Sequence, residues 1–317
     1  MPGMKKWFVL ILLSVAAFAQ EPIRLGIIGT DTSHVIAFTR AFNGPPGPDH
    51  VDGARVVAAY KGGSPDVEAS YTRVDKFAAE LREKWGVEFV DSIPELCRKV
   101  DGILLESVDG RPHLEQARQV IAAGKPLFID KPLAATLDDA REIARLAKKA
   151  GVPWFSSSSL RWSEIVTALK PHMKEATGVA TWGPGPTEPH HYLELSWYAI
   201  HPIEMLYALM GPGCVEVART STENIDVVVG RWKDGRVGTV HALRPRGDYG
   251  AVVFLPRGVR QGPEKAKHSY KPLLEAIVEF FRTRKPPVPN EETLELFAFM
   301  DAAQRSKEQG GKPVKLR

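Results

Sequence analysis

The sequence predicts an α/β chain in two parts: a doubly wound parallel sheet first, then an α+β part whose sheet is open and mainly antiparallel. Three observations carry this reading. From Pro22 to about Ser157, short apolar β-rich runs alternate with amphipathic helical stretches, the pattern of parallel βαβ units. Beyond about Arg161 the texture changes to β-rich runs joined by tight turns. The clearest is Lys233-Asp-Gly-Arg, where Asp-Gly supplies the positive φ that a hairpin turn needs. The length of 317 residues suits about two domains, and 44% hydrophobic with 25% charged residues argues against disorder and against a multi-span membrane protein.

Taken in order, residues 1–19 read as a leader. Lys5 and Lys6 precede an apolar run from Trp7 to Val15, and Ala17-Phe18-Ala19 before Gln20 is the small-x-small pattern that signal peptidase accepts. The run is shorter than the ~20 residues a bilayer span needs. The leader carries Lys-Lys and no Arg pair, so the expectation is Sec export to the periplasm or beyond, with no membrane contact after cleavage. Strands are expected at 24–28, 55–60, 87–90, 102–106, 126–129 and 154–157, with helices between them at 33–42, 74–85, 93–99, 112–123 and 137–150. The last helix shows the period well: Leu137, Ala140, Ile143, Ala144 and Ala147 share one face, Thr136 suits its N-cap, and Gly151-Val-Pro ends it.

The first domain is expected to span 20–160 and the second 161–317. In the second, helices at 163–170 and 198–210 flank a Gly/Pro-rich stretch, strands follow at 215–220, 225–232, 238–243 and 251–254, and helices at 272–284 and 291–307 close the chain. The terminal helix is expected to pack back toward the first domain. Cys97 and Cys214 allow at most one disulfide, which excludes a cystine framework and a four-cysteine zinc site; they fall in different domains and read as buried thiols. A net charge of +4 is too small to imply nucleic acid.

The first chemistry-bearing segment is Gly26-Ile27-Ile28-Gly29-Thr30-Asp31-Thr32-Ser33-His34. A strand, a glycine turn and a helix N-terminus in that order make a dinucleotide-pyrophosphate site, because helix-start N–H groups and a partial charge of about +0.5 attract the anion. Counted from Gly29, Asp31 and His34 stand at the second and third positions of G-x-G-x-x-G. The expectation is that Asp31 caps the helix and points away, leaving Thr30, Thr32 and Ser33 to donate to phosphate; a turn without ligand is the alternative. After the second strand, no acid occurs before Asp66, whereas Lys61, Ser64 and Arg73 suit a 2′-phosphate, so the cofactor is read as NAD or NADP with a lean to NADP.

Three further stretches stand out: Leu104-Leu105-Glu106-Ser107-Val108-Asp109 with Arg111-Pro112-His113, Ala122-Ala123-Gly124-Lys125-Pro126-Leu127-Phe128-Ile129-Asp130-Lys131-Pro132, and His201-Pro202-Ile203-Glu204-Met205. With Gly310-Gly311-Lys312-Pro313-Val314 near the end, they resemble the glucose-fructose oxidoreductase, inositol dehydrogenase and MocA (Gfo/Idh/MocA) family. The resemblance implies a Rossmann domain that binds NAD(P). It implies that Lys131 lies beside the nicotinamide ribose and the reacting hydroxyl, and that Asp130 stands in for the family glutamate. Glu106, Ser107, Asp109 and His113 would then line the cofactor, with His201 as acid/base and Glu204 as its companion acid. Trp197 takes the place, four residues before His201, where these enzymes often carry Asp.

Spacing i, i+4, i+7 and i+8 puts Trp197, His201, Glu204 and Met205 on one helix face. Arg161 is a candidate clamp for a carboxylate or phosphate. His191, Trp197 and Tyr198 are candidates to surround a sugar ring. His190, His191 and His201 carry metal-ligating nitrogens, but adjacent histidines point apart, and no metal is expected. The expected function is an exported NAD(P)-dependent oxidoreductase acting on a sugar, cyclitol or related polyhydroxy compound, with homo-oligomerisation through the second sheet. The alternatives are a glycoside-cleaving enzyme that uses bound NAD transiently and a ligand-binding protein without catalysis.

Overall fold

A computed structural model describes residues 21–317, so the expected leader lies outside the described residues. The first sheet contains strands β1 (Ile23–Ile28), β2 (Ala54–Tyr60), β3 (Glu88–Phe89), β4 (Gly102–Leu105), β5 (Leu127–Ile129) and β6 (Trp154–Ser156). They are all parallel, in the order β3-β2-β1-β4-β5-β6. Between them run α1 (Ser33–Asn43), α2 (Glu68–Tyr71), α3 (Val74–Trp85), α4 (Ile93–Lys99), α5 (His113–Ala122) and α6 (Leu137–Ala150). The short α2 is not anticipated from the sequence, because four residues carry no readable period. Thr136 caps α6 by accepting from Asp139 N at 3.1 Å, and Gly151 ends it at φ 66°.

The central strands β1, β4 and β5 are apolar apart from Arg24 at the start of β1, because both of their faces are covered. Ile103, Leu105, Leu127 and Ile129 face α4, α5 and α6, whereas Leu25, Ile27, Leu104, Phe128 and Phe155 face the opposite side. On that second side, α1 and α3 are joined by α10 (Lys271–Thr283), whose Leu273, Leu274, Ile277, Phe280 and Phe281 lie in the same core. The expected division at 160 therefore misses a return: the penultimate helix belongs to the first domain's core. Without α10, Phe128 and Phe155 would face water, and this exchange is favourable at roughly 25 cal/mol per Å² of apolar surface.

After β6, α7 (Glu164–Leu169) leads into the second sheet of β7 (Gly178–Pro184), β8 (Cys214–Ser221), β9 (Ile225–Trp232), β10 (Val237–Leu243), β11 (Gly250–Leu255), β12 (Gly258–Gln261) and β13 (Val314–Lys315). Its order is β12-β11-β7-β10-β9-β8-β13, antiparallel except for the β7–β10 pair. Sequence reading misses β7, which runs into the Gly183-Pro-Gly-Pro stretch that reads as loop. The expected helix at 198–210 is in fact two, α8 (Glu194–Trp197) and α9 (Ile200–Met210). Pro202 has no N–H to donate and is tolerated only in a first turn, so α9 starts at Ile200 and Trp197 is off its face. The terminal α11 (Asn290–Glu308) packs between β8 and α6, bringing it back to the first domain. Both cysteines are buried and free. Among the described residues no helix is long and apolar enough to cross a membrane.

Phe280 stacks edge-on against Phe155 at 4.9 Å and is fully buried. Phe280→Ala is expected to lower the unfolding free energy by about 3–5 kcal/mol, measured by denaturant titration followed through the signal of the first domain.

Candidate active site

A cleft of ≈ 390 Å³ opens where the carboxyl ends of β1 and β5 meet α9 and the segment leading into α10. This is the switch point of the parallel sheet, where helices leave in opposite directions and a crevice results. Its first wall is the turn after β1. Gly29 sits at φ 86°, and a Cβ there would fall 2.4 Å from Ser107 Oγ, so only glycine fits. The turn is tied to the end of β2: Gly29 N donates to Tyr60 O at 3.0 Å and Thr30 N to Lys61 O at 2.8 Å.

The capping expectation needs correction. Thr32, not Asp31, caps α1, accepting from His34 N at 3.4 Å. Asp31 turns inward, where it accepts from Ser70 Oγ at 2.6 Å and from Val108 N at 3.0 Å; burial pushes its pKa up. Thr30 is also turned away, its hydroxyl directed at the carbonyls of Lys61 and Val74. Of the three expected phosphate donors, Thr32 and Ser33 line the cleft. Lys61 pairs with Asp75 at the surface, and Ser64 donates to Asp109 at 2.7 Å, so Arg73 alone of the three 2′-phosphate candidates faces the cleft.

The loop after β4 departs further from expectation. Asp109 is a structural anchor: burial alone would raise its pKa, but hydrogen bonds from His191, Arg111 and Ser64 outweigh this and hold it well below the usual carboxylate range. His191 lies with Nε2 3.0 Å from Asp109 and is buried, so it braces this loop and does not reach a substrate. His113 is wholly buried, its ring nitrogens 3.2 and 2.9 Å from the carbonyls of Leu133 and Ser107. Ser107 donates to Gln116 at 3.0 Å. None of these four lines the cleft.

Behind the lining residues His34 and Lys131, Glu106 follows β4 and Asp130 follows β5, both nearly inaccessible, so neither lines the cleft as the resemblance implied. Burial first, and then the neighbouring Asp130, push the Glu106 pKa well above the usual range. Burial also acts to raise Asp130, but His34 and Lys131 outweigh it and lower its pKa; His34 Nδ1 is 2.7 Å from Asp130 Oδ2. The His34 ring is stacked on Phe38 at 5.3 Å and edge-on to Tyr270 at 5.0 Å.

Lys131 and His201 face this cleft from opposite domains. Lys131 Nζ lies 6.0 Å from the Tyr198 ring centre. The His201 Nδ1 is 2.6 Å from Ser158 Oγ, and its ring packs edge-on against Tyr198 and Tyr249. Burial and then the Lys131 charge drive its pKa well below 6.5, so the imidazole is neutral at neutral pH. Trp197 and Tyr198 line the cleft too, Trp197 from α8 and against the His191 ring at 4.9 Å. Tyr249, His268 and Tyr270 complete the wall; they lie in loops with no period or motif to mark them.

Arg161 and Glu204 are the clearest corrections. Arg161 does not reach a ligand: it is buried, with Nε 2.6 Å from Glu204 and Nη1 2.7 Å from Glu292. Glu204 is thereby occupied behind the cleft wall. A buried guanidinium takes partners of its own chain before any ligand, because leaving it unpaired costs several kcal/mol.

With the site described, the chain can be set beside known proteins. Residues 23–157 match the sequence profile of GFO_IDH_MocA, an oxidoreductase family with an NAD-binding Rossmann fold. The chain is 34% identical over 106 residues to the 1,5-anhydro-D-fructose reductase of Ensifer adhaerens, covering 33% of this chain and 32% of that one. It is 40% identical over 81 residues to the inositol 2-dehydrogenase of Paracoccus denitrificans, covering 25% and 24%. The matched stretches thus span a third or less of these relatives. The fold extends further: the myo-inositol dehydrogenase of Lactobacillus casei, solved with NAD(H) and myo-inositol, superposes with a TM-score of 0.74 at 17% identity, covering 94% of this chain and 97% of that one.

Arg161→Met removes the guanidinium and leaves Glu204 and Glu292 facing each other in the interior. The expected result is a loss of about 3–5 kcal/mol in unfolding free energy by denaturant titration, more than half recovered when Glu204→Gln is added.

Proposed function

We propose that this chain belongs to the Gfo/Idh/MocA oxidoreductase family and transfers hydride between a nicotinamide dinucleotide and a CH–OH carbon of a sugar, cyclitol or related polyhydroxy compound. The observation that carries the reading is the meeting of Lys131, His201 and the N-terminus of α1 in one cleft. The residues present fit the dinucleotide. Gly29 keeps the turn tight, Asp31 is turned away from the helix start, and Thr32 and Ser33 at the start of α1 would hold the pyrophosphate, with Arg73 nearby. Lys131 would meet the nicotinamide ribose, with Asp130 behind it on His34.

When bound, the nicotinamide supplies the hydride acceptor or donor. The chain's own residues manage the proton. Neutral His201, held through Nδ1 by Ser158, has no partner at Nε2 among the described residues and accepts the hydroxyl proton there. The Lys131 ammonium stabilises negative charge developing on the same oxygen. Trp197 and Tyr198 offer ring faces to the carbon skeleton of a polyol. Arg73 at the cleft, with no acid at the end of β2, favours NADP over NAD; mass spectrometry of nucleotide released by denaturation tests this. The leader at 1–19 supports export. It also favours a second reading, in which a resident nucleotide serves glycoside cleavage by transient oxidation and need not be exchanged outside the cytoplasm. Val229, Val237, Phe254 and Val259 are exposed on one face of the second sheet and support self-association there.

The test is incubation with free polyols and with aryl glycosides, with and without NAD(P). Accumulation of reduced nicotinamide supports the first reading, aglycone release without it the second, and neither outcome leaves only a binding protein. Lys131→Met is expected to lower kcat/KM by about 10²–10³-fold. Because the reaction needs His201 neutral and its pKa is driven down, the acid limb of the kcat/KM profile is expected below pH 6.5, with a plateau from there to neutrality.

A further inference from the structure

Three side chains with metal-ligating atoms meet just behind the cleft wall, where only His34 lines the cleft itself. His34 is the second residue of α1, Glu106 follows β4 and Asp130 follows β5, so three adjacent strands deliver them to one point. One ring nitrogen of His34, one carboxylate oxygen of Glu106 and one of Asp130 lie within 4.8 Å of one another. Ligands bound about 2.0–2.2 Å from a common ion lie within about 4.4 Å of each other, so a small contraction closes the set.

The second observation is independent of that clustering. Glu106 is 1% exposed, and neither of its carboxylate oxygens has a hydrogen-bond partner among the described residues. Buried carboxylates are ordinarily paired, hydrogen-bonded or bound to a metal. Here His34, Asp130 and Lys131 are close enough to act on Glu106 yet offer it no hydrogen bond. Asp130 spends its contact on His34. The strand that Glu106 follows is apolar, with Ile103, Leu104 and Leu105 wholly buried, and the Lys131 charge acts on this carboxylate without a hydrogen bond.

We infer that His34, Glu106 and Asp130 hold a divalent transition-metal ion, Mn²⁺ or Zn²⁺, just behind the cleft wall at His34. One imidazole and two carboxylates form a borderline-hard donor set that suits these ions and balances their two charges. Three protein ligands leave a coordination position open. Of the three ligands His34 lines the cleft, and Lys131, next to Asp130 in sequence, lines it too, so the open position is approached from that side. An ion there binds and polarises a hydroxyl or carbonyl oxygen, and polyhydroxy compounds present such oxygens in adjacent pairs. The site does not rest on the nucleotide reading, since its ligands are this chain's own.

The test titrates chelator-stripped protein, without nucleotide, with MnCl₂ and with ZnCl₂ by calorimetry. Electron paramagnetic resonance of Mn²⁺ gives a second readout. The expected result is one ion per chain for at least one metal. Glu106→Gln and His34→Gln should each weaken it on the order of 100-fold or more, beyond the upper end of what losing an outer-shell partner costs. Thermal melting confirms that the variants are folded; should Glu106→Gln fail to fold, His34→Gln alone decides. Wild type that takes up neither ion at one per chain, or folded variants that bind as wild type does, overturns the site. Nucleotide titration is run separately: metal uptake without nucleotide binding defeats only the hydride-transfer reading.

Discussion

The buried guanidinium of Arg161 fixes how the two halves of the cleft meet. It leaves the chain just after β6, the last strand of the first sheet, and pairs with Glu204 on α9 and Glu292 on α11. A charge in the interior must keep its partners, so these three elements cannot slide independently. Ser158, three residues before Arg161, reaches His201 on the same helix. The histidine that faces Lys131 therefore gets its position from the crossover between domains. The return of α10 to the first core and of α11 to α6 adds two more ties.

Within that frame, the electrostatics divide into two zones. On the sheet side, His34, Glu106, Asp130 and Lys131 crowd into a region with little water, where an uncompensated carboxylate is costly and a cation welcome. Facing them, His201 is driven to its neutral form by burial and the Lys131 charge. A neutral imidazole beside an ammonium is an arrangement in which one group takes a proton while the other steadies the oxygen that lost it. The anchors Asp31 and Asp109 stand apart from this traffic and serve to hold loops together.

Much of this was legible in the sequence, for physical reasons. Strands buried on both faces, such as β4 and β5, are apolar without interruption, and α6 has a clean apolar stripe with a Thr cap and a Gly stop, so both announce themselves. Lys131 and His201 were readable because Asp-Lys-Pro and His-Pro-x-Glu are local patterns. What was hidden is long-range pairing. Nothing near Arg161 in sequence marks Glu204 or Glu292 as its partners, and nothing near His191 marks Asp109. Likewise β7 was masked by the glycines and prolines that follow it, and the break before α9 follows from one proline in its first turn. Tyr249 and Tyr270 come from loops, where composition carries no period to read.

The central claim is that a nicotinamide ring lies between Lys131 and His201. A crystal structure of the protein soaked with NAD(P) at saturating concentration tests it most directly. The account predicts the pyrophosphate against Thr32 and Ser33, the nicotinamide ribose within hydrogen-bond reach of Lys131 Nζ, and the ring facing His201 Nε2. A nucleotide bound elsewhere, or an unchanged cleft at saturation, would contradict it.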